Sequence, residues 1–138
     1  MMVLADTSVW SIAIRRSEQD LNPRERSVRN MLEKMVAEGR VALIGPIRQE
    51  LLTGIREERQ FHRLRDALRA FPETELTTED YEEAAHLSNI CRSRGVAGNP
   101  TDFLICSVAR SRNWVIFTRD QDFARYARQI PLRVTGLD

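Results

Sequence analysis

The amino-acid sequence predicts a three-layer α/β/α fold built on a central, mostly parallel sheet of four to five strands. Short apolar runs alternate along the chain with longer segments in which apolar residues recur at helical spacing. The run at residues 114–117 is continuously apolar and rich in β-forming side chains, which is typical of a parallel strand buried on both faces. Strands that alternate with helices in this way form parallel sheets covered by helices.

The composition is that of one folded domain covering residues 1–138, with 42% hydrophobic and 30% charged residues and a net charge of +1. No apolar run approaches the ~20 residues of a membrane span, and the N-terminus lacks the pattern of a secretion signal. Cys91 and Cys106 do not have the spacing of a metal or redox motif, so we expect free, buried thiols. These features predict a cytoplasmic protein that does not enter a membrane.

The first part of the chain predicts two strands with a helix between them. The apolar runs at residues 2–5 and 41–44 are the strands. Asn22 suits the N-cap of a helix and Pro23 its first position, while Gly39 suits the residue that follows its last turn.

The middle of the chain predicts three helices and one short strand. The first helix is expected to begin at Pro46, and the second is an amphipathic segment at residues 61–71 with arginines on its polar face. A brief third strand is expected at residues 75–77. Thr78 is expected to cap the third helix, which stops at Gly95.

The last part of the chain repeats the alternation of helix and strand. Asn99 and Pro100 form a second helix start of the same kind as the first. The strand at residues 114–117 follows, then a helix from about Asp122 and a last strand at residues 132–134.

Acidic residues follow the predicted strands or begin the helices after them, in four separate segments. Asp6 ends the first strand, Glu50 lies one turn into the helix after the second strand, and Asp102 lies in the first turn of its helix. Asp120 and Asp122 follow the strand at 114–117. Sites in open α/β sheets form outside the carboxyl ends of the strands, so we expect these side chains to meet at one edge.

Several carboxylates in one cavity repel each other, and a hard divalent cation removes that cost. Mg²⁺ or Mn²⁺ held there can activate a water and neutralise a phosphodiester, which predicts hydrolysis of phosphate esters. Taken singly, Glu50 or Asp102 suits a helix-capping or helix-dipole role equally well. Asp122 suits a cap for its helix, and Asp120 is the preferred ligand of that pair. Asp6 is the acid hardest to explain without a function, because its surroundings are apolar.

These four segments resemble the PIN-domain family, and specifically the VapC-type ribonuclease toxins of bacterial and archaeal toxin–antitoxin pairs. The opening VLADTSVW resembles the first strand with its acid, and PIRQELLTG resembles the E-L-x-x-G segment. DFLIC is similar to the family's D-x-L-I-A helix, with cysteine in place of alanine, and TRDQDF is similar to T-x-D-x-D-F. Each motif is short, but the four occur in the family's order and the match runs from end to end.

The resemblance implies a Rossmann-like sheet, a homodimer, inhibition by a cognate antitoxin, and Mg²⁺- or Mn²⁺-dependent cleavage of RNA that leaves a 5′-phosphate and a 3′-hydroxyl. It implies that Asp122 binds the metal directly or through water, and that Ser8 and Thr118 are supporting hydroxyls. The residues carried over as catalytic metal ligands are Asp6, Glu50, Asp102 and Asp120.

Two surfaces are expected to bind partners. The apolar and arginine faces around residues 61–71 suit an antitoxin helix laid in a groove, although an ordinary amphipathic surface helix would have the same pattern. Four arginines are expected near the acidic edge, where they could neutralise RNA phosphates. They are Arg110, Arg112, Arg119 and Arg125.

Two other functions are compatible with parts of the sequence. Phosphatases of the haloacid-dehalogenase type also begin with a strand that ends in aspartate, but their second aspartate two residues later is Ser8 here. A PIN-like module that binds RNA or protein without cutting is the other alternative. The presence of all four acids argues against it.

Overall fold

Five parallel strands form the central sheet of the computed structural model, which describes residues 1–138. The order across the sheet is β3-β2-β1-β4-β5, and Val3 in the central strand lies opposite Val41 on one side and Val115 on the other. After β3 the chain crosses back over the sheet to β4, so the strand order changes direction between the neighbouring strands β1 and β4. The strands are β1 (Val3–Ala5), β2 (Val41–Ile44), β3 (Glu73–Thr74), β4 (Val115–Phe117) and β5 (Val134–Thr135).

Seven helices cover the sheet, and the three-layer α/β/α architecture is confirmed. Asn22 and Thr77 each form a capping box, in which the side chain accepts from the third helical N–H and that residue's carboxylate accepts from the cap. No helix is both long and apolar enough to cross a membrane. The helices are α1 (Thr7–Ile14), α2 (Pro23–Ala37), α3 (Gly45–Leu52), α4 (Glu58–Leu68), α5 (Thr78–Ser93), α6 (Pro100–Arg112) and α7 (Asp122–Ala127), with a 3₁₀ turn at Glu18–Asp20.

One hydrophobic core holds the layers together. The three residues of β1 and the four of β2 are all buried, because helices cover both faces of these strands. This explains why the central strands are continuous apolar runs rather than alternating ones. Cys91 and Cys106 belong to this core as free thiols, as the sequence predicts.

Helix α1 is the one element that the sequence interpretation missed. It follows β1 without a loop, and Asp6 is its N-cap, accepting a hydrogen bond from the backbone N–H of Ser8. Asp6 therefore has the local role of a helix start as well as its place at the sheet edge. Because Asp6 is assigned only as a ligand, the sequence interpretation does not use it as the N-cap that marks the start of this helix.

The remaining differences lie at element ends, mainly at the edges of the sheet. The third strand lies at Glu73–Thr74 rather than 75–77, and the last at Val134–Thr135 rather than 132–134. Each of these strands has only two residues and pairs with one neighbouring strand, so its local sequence hardly differs from that of a loop. The cap of α5 is Thr77 rather than Thr78, and α3 begins one residue before Pro46.

Candidate metal centre

The candidate site lies at the carboxyl edge of the sheet, where β1 and β4 are neighbours. Asp6 follows β1 and Thr118 follows β4, and the backbone N–H of Asp6 donates to the carbonyl of Phe117 at 3.0 Å. The strand order reverses between these two strands. Such a reversal leaves a crevice between helices that depart to opposite faces, which is the usual ligand site of this architecture.

Two hydroxyl groups hold the buried carboxylate of Asp6, whose residue is only 5% exposed. The hydroxyl of Ser8 donates to Oδ1 at 2.5 Å, and that of Thr118 donates to Oδ2 at 2.8 Å. The structure thus places Ser8 and Thr118 beside an acid, as the family resemblance implies. Both oxygens of Asp6 are oriented by neighbours, so this carboxylate is rigid.

The same hydroxyls shape the loop that follows β4. Thr118 Oγ1 accepts from the backbone N–H of Asp120 at 2.9 Å, and Ser8 Oγ accepts from that of Arg119 at 2.9 Å. Asp120 Oδ1 in turn accepts from the N–H of Asp122 at 2.9 Å. The loop therefore brings the two acids to the same place through bonds to its own backbone.

Asp102 reaches the site from the N-terminal turn of α6. Asn99 caps this helix, with its side-chain oxygen accepting from the Asp102 N–H at 2.9 Å. Asp102 is 7% exposed, and its Oδ2 accepts a hydrogen bond from the hydroxyl of Tyr126 at 2.6 Å. Two segments far apart in sequence, α6 and α7, therefore meet at this carboxylate.

Three carboxylates form a group that could hold a metal ion. Asp102, Asp120 and Asp122 each offer one oxygen, and these oxygens all lie within 4.8 Å of one another. Ligand oxygens sit about 2.1 Å from Mg²⁺, so opposite ones are about 4.2 Å apart. The three oxygens are therefore close enough to share one cation, and the all-oxygen donor set is the one that Mg²⁺ and Mn²⁺ prefer.

The electrostatics of the site favour an added cation. The pKa of Asp102 is raised to about 6, mainly by burial and in addition by the charges of Asp120, Asp6 and Asp122, while the Tyr126 hydrogen bond lowers it. The pKa of Asp6 is also raised, first by burial and then by Asp120, although the Ser8 and Thr118 hydroxyls oppose the rise. Carboxylates that repel each other in a partly dry site are stabilised by a bound divalent ion.

Glu50 lies outside the group of three carboxylates. Its exposed side chain, on α3, accepts a hydrogen bond from the hydroxyl of Thr7 at 2.6 Å. Because Thr7 follows Asp6 directly, Glu50 still lies next to the carboxyl edge of β1. Of the four acids expected as ligands, the structure brings Asp102 and Asp120 into one group, with Asp6 next to it, while Glu50 contacts Thr7.

The expectation that Arg110 and Arg112 lie near the acidic edge is wrong. Both are in the last turn of α6, where Arg110 lies about 12 Å and Arg112 about 15 Å along the helix from Asp102 at 1.5 Å per residue. Arg112 makes two 3.0 Å hydrogen bonds to Asp80, and Arg110 pairs with Glu83. A helix that begins at the carboxyl edge ends at the opposite edge, so closeness in sequence to the site was misleading.

The other two predicted arginines do lie near the site. The guanidinium of Arg119 donates to the backbone carbonyls of Gly136 and Asp138, at 2.9 and 3.3 Å. Arg125 lies 3.4 Å from the carboxylate of Asp122, whose side chain is 49% exposed. Both arginines therefore have partners within the chain, Arg119 the carbonyls of its last residues and Arg125 the carboxylate of Asp122.

Tyr126 is the residue at the site that sequence analysis missed. It is completely buried, and its hydroxyl contacts the buried Asp102. No motif includes it, although a polar aromatic residue one turn after TRDQDF could have been noted as needing a hydrogen-bond partner.

Solved structures similar to this chain include VapBC2, FitAcB and a toxin–antitoxin complex, and their TM-scores show a shared fold. A chain of VapBC2 from Rickettsia felis, bound to a DNA fragment from its promoter, has a TM-score of 0.76 at 20% identity over 98% of each chain. A chain of FitAcB from Neisseria gonorrhoeae has a TM-score of 0.73 at 19% identity over 96% of each chain. A toxin–antitoxin complex from Klebsiella pneumoniae has 0.69 at 21% identity, over 99% of this chain and 98% of that one.

The sequence itself carries the signature of a family. None of the curated proteins matches it. The profile of the PIN domain matches residues 3–129, which include the sheet edge, the acidic group and Tyr126. With nearly the whole chain matched, this protein belongs to the PIN-domain family.

Proposed function

We propose that this protein is a Mg²⁺- or Mn²⁺-dependent endoribonuclease and the toxin of a toxin–antitoxin pair. The single observation that supports the activity most is the group formed by Asp102, Asp120 and Asp122 at the strand-order reversal. The toxin role is supported by the resemblance to the VapC-type toxins and by the similar structures, which include VapBC2 and a toxin–antitoxin complex.

In this proposal the three grouped carboxylates hold the cation, with Asp6 and Glu50 as the neighbouring acids. A bound divalent ion supplies a water nucleophile at neutral pH and offsets the charge of the scissile phosphodiester. Asp6 is kept in place by Ser8 and Thr118, whose hydroxyl groups also fix the loop bearing Asp120. The side chains are thus preorganised, so binding the substrate need not reorder them.

The phosphatase alternative is not supported by the surroundings of Asp6. Oδ1 and Oδ2 of Asp6 both accept hydrogen bonds from hydroxyl groups of this chain, and no second aspartate stands two residues later. Ser8, which stands at the position of the second phosphatase aspartate, donates one of those bonds. The three converging carboxylates favour a hydrolytic metal site over a PIN-like module that binds without cutting.

Purified protein is expected to cleave labelled single-stranded RNA in Mn²⁺ and to lose this activity in EDTA. The reason is that the carboxylates alone provide neither an activated water nor a positive charge. Gel separation of 5′- and 3′-labelled RNA measures the rate, and the products should carry a 5′-phosphate and a 3′-hydroxyl. Restoring Mn²⁺ should restore the rate, which separates chelation from unfolding. Equal cleavage with EDTA present would refute the metal mechanism.

The proposed antitoxin site is an apolar groove of about 340 Å³ beside α1 and α4. Ile14, Ile55 and Leu64 provide its apolar surface, and the exposed Arg15 and Arg63 lie among them. An amphipathic helix with acidic residues flanking its apolar face would complement this groove. The groove includes part of the 61–71 region that the sequence suggests for this partner.

The charge reversal Arg63→Glu is expected to weaken capture of the antitoxin at least about tenfold, the effect of about 1.4 kcal/mol. Co-expression of the neighbouring gene product, followed by copurification and titration, measures the affinity. Lys34→Glu is the matched control, because it makes the same change in charge on the exposed surface of α2. Equal losses in both variants would show a general charge effect and would contradict this location.

A homodimer and a cytoplasmic location complete the proposal. The resemblance to the VapC-type toxins supports the homodimer. The two free, buried cysteines and an RNA substrate support a reducing compartment such as the cytoplasm.

A further inference from the structure

We infer that Tyr126 is a positioning residue for the metal ligand Asp102, and that Gly98 keeps the space that Tyr126 needs. This inference rests on the metal site of the proposed function and adds residues to it that no motif contains. Tyr126 acts through Asp102 and does not touch the cation or the substrate.

Tyr126 is held rigidly in the core. Its ring centre lies 4.9 Å from that of Phe103 and 5.3 Å from that of Phe123, and no part of the residue is exposed. Only the hydroxyl is polar, and it donates to Asp102 Oδ2 at 2.6 Å. The packed ring therefore points one hydrogen-bond donor at one carboxylate oxygen.

This bond decides how Asp102 can bind a cation. The fixed donor at Oδ2 orients the carboxylate, which cannot rotate without losing the bond, and leaves Oδ1 without a hydrogen bond from the protein. Hydrogen bonds of this kind orient metal ligands, and removing the outer partner typically costs 10–100-fold in metal affinity or activity, by a rough general rule. Phenylalanine would fill the same core space without the hydroxyl, so packing alone does not explain a tyrosine at this position.

Gly98 lies directly against the tyrosine, in the segment that leads into α6. A Cβ at this position would lie 2.2 Å from the Tyr126 hydroxyl oxygen and 2.7 Å from the ring carbon that bears it. Both distances are far inside van der Waals contact, so any side chain at position 98 would displace the ring or the segment. The absence of a side chain at Gly98 is therefore part of the arrangement that keeps Tyr126 on Asp102.

The first test compares Mn²⁺ affinities by calorimetry for the full-length protein and two variants. Tyr126→Phe is expected to bind Mn²⁺ about tenfold more weakly. Tyr81→Phe is the matched control, because Tyr81 is 53% exposed on α5 and its variant should bind as the unmodified protein does. Gly98→Ala should weaken binding in the same direction with the hydroxyl still present, as expected for a displaced donor.

A second measurement needs no change at the site. The chain has two tyrosines, so Tyr81→Phe protein labelled with ¹³C at the tyrosine ζ carbon gives one resonance, that of Tyr126. Titration with Mg²⁺ is expected to change the chemical shift of this resonance in proportion to the fraction of protein that has bound the ion. This readout keeps the inference testable even if Tyr126→Phe or Gly98→Ala protein fails to fold.

The outcomes separate the inference from the function on which it rests. If the unmodified protein binds neither Mn²⁺ nor Mg²⁺, the proposed metal site is overturned. If the unmodified protein binds both ions, two results would each overturn the role of Tyr126 and leave the metal site standing. One is equal Mn²⁺ affinity of Tyr126→Phe protein, and the other is an unchanged chemical shift of Tyr126 at saturating Mg²⁺.

Discussion

Replacing Asp102 with asparagine is expected to reduce metal-dependent RNA cleavage at least about 100-fold, beyond the loss of an outer hydrogen-bond partner. The amide has nearly the same volume and can still accept the Tyr126 hydrogen bond, but it lacks the charge that binds a hard cation. Initial rates on labelled RNA in Mn²⁺ measure the loss, and circular dichroism checks that the fold is intact. In cells, the same variant should lose toxicity.

Asp66→Asn is the matched control for this experiment. It is the same chemical change at an exposed position on α4, where the carboxylate meets only the neighbouring Arg65. This control should cleave RNA at the unmodified rate. If folded Asp102→Asn protein still cleaves RNA substantially, Asp102 is not a required metal ligand. The proposed site then loses the most buried of its three aspartates.

Metal-free protein is expected to lose stability as the pH rises from about 4 to above 6, with Asp102 responsible for up to about 3 kcal/mol. The pKa of this carboxyl rises from 3.8 to about 6 in the folded chain. The folded state therefore holds the proton more tightly than the unfolded state. The resulting loss of folding free energy is absent below about pH 4, where Asp102 is protonated in the folded and unfolded states. It is complete above about pH 6, where Asp102 is ionised in both states. Urea unfolding in EDTA at several pH values measures it.

Asp102→Asn isolates this contribution from those of other titrating groups. In EDTA the variant should be more stable than the unmodified protein at pH 7.5, and the difference should shrink towards pH 4. Saturating Mg²⁺ should reverse the order, because only the unmodified protein gains stability from binding the ion. A difference that does not depend on pH would contradict the raised pKa of Asp102.

The buried carboxylates of the site carry a cost in folding stability for the metal-free protein. Asp6 and Asp102 are buried with raised pKa values, and a purely structural core would place apolar residues there. The hydrogen bonds from Ser8, Thr118 and Tyr126 reduce that cost without removing it. A cation would remove more of it, so stability and metal binding should be coupled.

The sequence by itself determined the order of the layers and the edge at which the acids meet. The buried strands β1, β2 and β4 are continuous apolar runs, and Asn22 and Asn99 mark helix starts within one residue. Both kinds of signal are local, because burial and capping depend on residues close together in the chain. Since carboxyl ends of parallel strands share an edge, the approximate position of the acids followed.

Only the tertiary structure decided which side chains touch. Asp102 and Tyr126 meet because α6 and α7 converge, whereas Arg112 is carried to the far end of α6 and paired with Asp80. The two-residue edge strands are likewise placed by the sheet rather than by their own residues. Such contacts depend on the angles and lengths of packed elements, and local sequence does not encode these.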